Sequence, residues 1–265
     1  MTQPRHPSHP PHQQHPQHQQ HPRQAVVLDL DHTMVGDVVP VLRRYRLLTA
    51  LRDMGLRAPP PDSALDDAIA NTPLLRPGLV DYLRRRDADG SAVHVFTASE
   101  RTWAQAVVRA IQRRAGITFA RPLFARDDCI VREPDGSLRK SLATVAARAL
   151  LRGPKAQRCA LANTTVIDNT AVWDDLGQAR FVLAPTYEYR PVVDPLEGVP
   201  VATLRDPRAR AMVTRLCSEG TCYDTVRYDD PSKSACHKHR WLARDADAAV
   251  KQNKPHLQDA FFAGL

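Results

Sequence analysis

The sequence predicts a doubly wound α/β domain, a parallel sheet carrying helices on both faces, on three observations. Ala25-Val26-Val27-Leu28 is an unbroken apolar run that stops at Asp29 and Asp31. Such a run suits a strand buried on both faces, as in a parallel sheet. Apolar runs and helical patterns then alternate along the chain, the signature of βαβ units. Finally, polar residues follow the apolar runs directly at three strand ends: Asp29/Asp31, Thr97 and Asp168/Asn169. In a doubly wound sheet those ends meet along one edge, where such folds place ligands.

The elements follow in order. After the first strand, residues 37–73 read mainly as helix. Val41, Leu42, Tyr45, Leu48 and Leu51 form an apolar stripe at helical spacing, and Pro59-Pro60-Pro61 breaks the chain before a second short helix. Pro77 is placed to open a further helix through Leu79, Tyr82 and Leu83. Ala92 to Thr97 is the second strand, followed by a helix from Glu100 to Arg114. A less regular segment holds Pro122-Leu123-Phe124 and Cys129-Ile130-Val131, with a turn at Pro134-Asp135-Gly136. Ser141 to Leu151 reads as helix, Thr164 to Asp168 as the third core strand and Arg180 to Leu183 as the fourth.

Residues 1–24 are almost wholly His, Pro and Gln, with histidines recurring every third residue from His6 to His21. This composition cannot bury enough apolar surface to offset its ordering entropy, so a disordered arm is expected there. The chain of 265 residues carries a formal net charge of +8, which favours acidic partners: phosphorylated protein, nucleic acid or an anionic surface. Its densest basic runs, Arg84-Arg85-Arg86 and His237-Lys238-His239-Arg240, are short, and no nucleic-acid reader motif accompanies them. No stretch is long and apolar enough to span a bilayer. Five cysteines without a secretory signal suggest free thiols in a reducing compartment, cytoplasm or nucleus. Cys217, Cys222, Cys236 and His239 have the residue types for zinc. The Cys-His-x-His cluster fits no ordinary finger, however, so helices with incidental thiols are expected.

Two carboxylates one residue apart repel unless a cation or a shared proton relieves them. With Lys140 near the start of an intervening helix, the sheet edge holds the parts needed for phosphoryl transfer. One carboxylate can attack phosphorus. Another can act as general acid and then general base. Hard oxygens suit Mg2+, and a lysine and a hydroxyl can hold the phosphoryl oxygens.

On Asp29-Leu30-Asp31-His32-Thr33, Arg76-Pro77, Phe96-Thr97-Ala98-Ser99, Lys140 followed by Leu142, and Ile167-Asp168-Asn169, the chain resembles the haloacid dehalogenase-like phosphatases. Within them it is most similar to the phosphatases of the RNA polymerase II C-terminal domain and the NLI-interacting-factor-like proteins. The likeness spans about residues 25–190. It implies a Rossmann-like sheet in a phosphatase domain at 25–200, to which the chain's own residues add a helical insert at 37–73 and a helical C-terminal extension at 201–265.

The resemblance also implies roles. Asp29 would be the nucleophile, passing through an aspartyl-phosphate, and Asp31 the acid and base. Thr97, Ala98 and Lys140 would bind phosphate. Asp29, the backbone carbonyl of Asp31, Asp168 and Asn169 would hold Mg2+. Thr33 would order the loop; His32, taken by itself, reads as a packing or loop residue. The implied substrate is phosphoserine or phosphothreonine in protein. A small phosphate ester or nucleic-acid end, and a non-catalytic binding module, stand as alternatives. The chain departs from the family in two places: the insert reads as helical instead of as a β-hairpin, and Ser141 replaces the acidic residue expected after Lys140.

Overall fold

The computed structural model describes residues 24–132, 136–149, 161–218 and 253–265. Its centre is a four-stranded sheet of β1 (Ala25–Leu28), β2 (Ala92–Val95), β5 (Thr164–Asp168) and β6 (Arg180–Leu183), in the order β2-β1-β5-β6. Every neighbouring pair is parallel, with Leu28 in register with both Val95 and Ile167. All four β1 residues are buried because both sheet faces are covered. Val26 and Leu28 face a cluster built with α2 (Pro61–Asn71), α3 (Leu79–Ala88) and α4 (Arg101–Ala115). Val27 and Val166 face Phe96, Phe124 and Trp173, with Leu142 and Val145 of α5 (Leu142–Arg148). This is the Rossmann-like, doubly wound architecture that the apolar runs predicted.

The insert contains α1 (Val39–Asp53) and α2. Val41, Leu48 and Leu51 of the predicted stripe are buried, and Leu42 and Tyr45 are partly so. Leu47 joins Leu48 and Leu51 in a second cluster, packed against Ala209 and Val213 of α7 (Pro207–Ser218). A short α6 (Val201–Arg205) precedes it. β3 (Ile130–Val131) and β4 (Leu138–Arg139) form a small antiparallel ribbon before Lys140.

Some boundaries differ from the sequence expectation. Pro77 does not open α3; the helix starts at Leu79, after Gly78 takes a left-handed φ of 78°. β2 stops at Val95, and Phe96 makes only an isolated bridge to Phe124. Residues 253–265 form two 3-10 turns, Lys254–Gln258 and Phe261–Gly264, and Phe262 is fully buried against Tyr82. No described helix is long and apolar enough to cross a membrane. The arm up to residue 23, Pro134 and Asp135 of the turn, Cys159, Cys222, Cys236 and the 237–240 basic run lie outside the described residues, so the zinc question does too.

Candidate active site

The chain enters β1 from one side of the sheet, forms β2 beside it, and later returns on the other side as β5. The reversal leaves a crevice at the carboxyl ends of β1 and β5. Leaving β1, the backbone curls: the amides of Met34 and Val35 both donate to the Leu30 carbonyl, and His32 N–H donates to Val35 O at 2.7 Å. His32 takes a φ of 59°, a left-handed conformation that histidine tolerates better than most residues. Its carbonyl accepts from Tyr187 N–H at 2.8 Å, and its Nδ1 lies 3.2 Å from Tyr187 O. His32 therefore locks the loop, the second of the two roles expected of it.

Asp29 is buried, and both of its oxygens are engaged. Lys140 Nζ donates to Oδ1 at 2.5 Å, and the Thr33 hydroxyl to Oδ2 at 2.9 Å. Burial pushes its carboxyl up to about 6, the charges of Asp168 and Asp31 push the same way, and Lys140 opposes them. Asp31 is only half-buried. Its Oδ2 accepts from the Thr97 hydroxyl at 2.9 Å and from the Ser99 hydroxyl at 2.7 Å. The two carboxylates therefore sit in different environments, one beside a buried cation and one beside neutral hydroxyls.

Lys140 is 2 % exposed and lies between Asp29 and Asp168, 2.8 Å from Asp168 Oδ2. Burial disfavours its charge, but the two carboxylates outweigh that and hold its ammonium above the usual lysine value. It comes from extended backbone pinned to the loop after β5: Lys140 N–H donates to Val172 O and Asp174 N–H to Lys140 O. The helix begins two residues later with Ser141 as N-cap. Asp175 supplies the acid that position 141 lacks, accepting from Leu142 N–H at 2.8 Å and from the Ser141 hydroxyl at 3.0 Å.

The carboxylate of Asp168, at the end of β5, accepts four hydrogen bonds. Lys140 and Trp173 Nε1 donate to Oδ2; the Thr170 amide and hydroxyl donate to Oδ1. Asn169 exchanges hydrogen bonds with Thr33 in both directions. The structure thus brings Asp29, Asp31, Thr97, Lys140, Asp168 and Asn169 to one place. Ala98 follows Thr97 directly, and its carbonyl accepts from Arg126 Nε at 2.8 Å. Thr97 is fully buried and directs its proton at Asp31.

Sequence reasoning gave no role to Ser99, Trp173 or Asp175. Ser99 stands inside the Phe96-Thr97-Ala98-Ser99 motif, so a signal existed for it. Asp175 had none beyond being an acid near a helix start in space.

The family model described as NLI interacting factor-like phosphatase matches residues 24–191. Among solved structures, the chain is similar to a fission yeast RNA polymerase II CTD phosphatase, Fcp1, bound to beryllium fluoride. Identity is 17%, covering 87% of this chain and 56% of that one, with a TM-score of 0.39. A second structure of Fcp1 gives 17% identity over 86% of this chain and 66% of that one, TM-score 0.39. A phosphoserine phosphatase in apo form gives 13% over 56% and 78%, TM-score 0.27. The chain thus spans less than two thirds of the length of either Fcp1 structure. No curated protein matches it.

Proposed function

Because the chain belongs to the NLI interacting factor-like phosphatase family, we propose that it is a Mg2+-dependent phosphoric monoester hydrolase acting on phosphoserine or phosphothreonine in proteins. The observation that carries this reading is the unequal setting of the paired aspartates. Asp29 is fixed between Lys140 and Thr33 at the bottom of the crevice, whereas Asp31 is partly open and held by two hydroxyls. Two carboxylates in different environments can divide nucleophile and acid/base work.

In the first step, an Asp29 carboxylate oxygen attacks phosphorus and the bond to the serine or threonine oxygen breaks. Asp31 gives that oxygen its proton. In the second step, Asp31 takes a proton from water, the water oxygen attacks phosphorus, and the aspartyl-phosphate bond breaks to release phosphate and free Asp29. Lys140 faces the phosphoryl oxygens and offsets the charge gathered there. Thr97 and Ser99 aim Asp31, and on the family resemblance the Ala98 backbone would line the phosphate pocket.

The residues fit Mg2+. Asp29, Asp168, Asn169 Oδ1 and the Asp31 carbonyl are hard oxygen donors. One lysine faces two buried carboxylates, which leaves negative charge there for a cation to offset. Among the described residues no three His, Cys, Asp or Glu side chains converge as a cation cluster, so amide and carbonyl oxygens would complete the set. When bound, Mg2+ supplies positive charge to the phosphoryl oxygens.

The insert supports a second reading, a small phosphate ester as substrate. Tyr45 of α1 meets Trp103 edge-on at 5.7 Å, and Arg46 lies 3.7 Å from Glu100, the neighbour of Ser99. Helix α1 therefore borders the crevice. Turnover of phosphoserine and phosphothreonine peptides, polymerase-tail repeats included, should be compared with turnover of small phosphorylated metabolites. Higher kcat/KM on peptides is expected. Far faster turnover of a metabolite would overturn the protein-substrate reading.

A further inference from the structure

We infer that Asp259 is a positioning residue for the loop that carries Asp29, Asp31 and Thr33, acting through the buried guanidinium of Arg76. Its consequence for catalysis rests on the phosphatase reading above; the coupling itself does not.

Arg76 is 1 % exposed, and a buried guanidinium needs a partner. Asp259 meets it as a fork, with Nε to Oδ1 at 3.1 Å and Nη2 to Oδ2 at 2.7 Å. The remaining nitrogen, Nη1, donates to Pro185 O at 2.8 Å and approaches Thr33 O at 3.5 Å. The Phe261 ring lies 4.5 Å from the guanidinium carbon.

Two braces hold the exit of the catalytic loop, and the terminal segment closes both. The first is residues 74–76. Arg76 N–H donates to Met34 O at 2.9 Å, Gly36 N–H donates to Leu74 O, and Val35 pairs with Leu75. Asp259 clamps this brace through Arg76. The second is residues 187–190. Tyr187 N–H donates to His32 O, Asp37 N–H donates to Tyr189 O, and a side chain at Gly36 would collide with Tyr189 O. Asn253 fixes this brace by bonding both the N–H and the carbonyl of Arg190, and His256 sits edge-on to Tyr187.

The seat is built for this segment. A side-chain carbon at Gly78 would stand 3.0 Å from Ala263 N, so glycine leaves room for it. Residues 253–265 lie beyond the 24–191 covered by the family model, so the family's catalytic loop is held here by a part of the chain outside that match. Small displacements matter at such a site, because catalysis depends steeply on the placement of reacting groups.

A plain apolar plug through Phe262 is the competing explanation. It would change global stability without singling out the loop. The test uses the full chain with Asp259→Asn, Asp259→Glu and, as a control in contact with the same segment, Arg85→Ala, which loses only a bond to Phe262 O. Amide hydrogen exchange is read for peptides covering 29–36 and 164–168, at a temperature where far-UV circular dichroism is unchanged. Aryl phosphate hydrolysis is measured alongside.

In Asp259→Asn, exchange at 29–36 should speed up about tenfold or more, with 164–168 unchanged; kcat should fall about tenfold, with KM within about twofold. Asp259→Glu should recover part of both losses, and Arg85→Ala should match wild type. If Asp259→Asn does not fold, Asp259→Glu carries the same readouts, with the 29–36 peptide again exchanging selectively faster than in wild type. Wild-type exchange and kcat in the Asp259 variants, or faster exchange spread equally over both peptides, would overturn the inference. A wild-type protein inactive on every phosphate would defeat the phosphatase reading alone, since exchange still decides the coupling.

Discussion

Thr33 and Asn169 are bonded in both directions. The Thr33 hydroxyl has Asp29 Oδ2 (2.9 Å) and Asn169 Oδ1 (3.1 Å) within reach of its one proton, and accepts the Asn169 backbone N–H at 3.0 Å. One buried hydroxyl thus joins the ends of β1 and β5. Thr33→Ala should destabilise the fold by about 1–3 kcal/mol, because it strands the Asn169 amide and an Asp29 oxygen. Thr33→Ser keeps the hydroxyl and should lose less than half as much. Urea unfolding of the pair checks this; equal losses would point to the methyl group instead.

Lys140 is the counter-charge of two buried carboxylates. Lys140→Met should cost about 3–5 kcal/mol at pH 7, since it leaves buried charge uncompensated. Without the lysine, the Asp29 pKa rises beyond its present value near 6. The folded state then binds a proton that the unfolded state does not, so the deficit should shrink as pH falls toward 5. Mg2+ should raise Tm more in this variant than in wild type. Thermal melts across pH, with and without Mg2+, would show it.

Ser99 donates to the same Asp31 oxygen as Thr97. Ser99→Ala removes one of the two donors that orient Asp31, the proposed acid/base group, and kcat should fall about tenfold or more with KM little changed. Steady-state kinetics on an aryl phosphate measures it. Unchanged kcat would mean that Thr97 alone suffices.

His94 is 2 % exposed, and among the described residues neither ring nitrogen has a hydrogen-bond partner. Burial holds its pKa below the usual histidine value. The unfolded chain takes up this proton below about pH 6.5 and the folded one resists, so stability falls as pH drops below that point. Asp29 acts in the opposite sense: raised to about 6, it favours the folded state as pH falls toward the unfolded carboxylate value. The difference between wild type and His94→Leu isolates the histidine. That substitution should remove an acid-side loss of up to about 1.4 kcal/mol per pH unit. Parallel stability curves would contradict this.

Much of this arrangement was legible from local pattern. Val26 to Leu28 and Val166 to Ile167 are apolar on both faces because helices cover both faces, and an unbroken apolar run records that directly. The polar residues that end those runs then had one edge on which to meet. What escaped were contacts between loops. Trp173 on Asp168, Asp175 at the start of α5 and Asp259 on Arg76 have no period and no local signature. The helix through Leu79, Tyr82 and Leu83 formed, but its start at Pro77 failed for a related reason: Gly78 takes a left-handed turn against the terminal segment, which overrides the preference of proline for a first turn.

The central claim is that Asp29 and Asp31 carry out a phosphoryl transfer as nucleophile and acid/base. Hydrolysis of an aryl phosphate by wild type, Asp29→Asn and Asp31→Asn, with acid-quench trapping of protein-bound phosphate, tests it most directly. Wild type should turn over only with Mg2+, Asp29→Asn should neither turn over nor trap phosphate, and Asp31→Asn should be severely slowed. A wild type without Mg2+-dependent hydrolysis, or an Asp29→Asn variant that keeps it, would contradict the account.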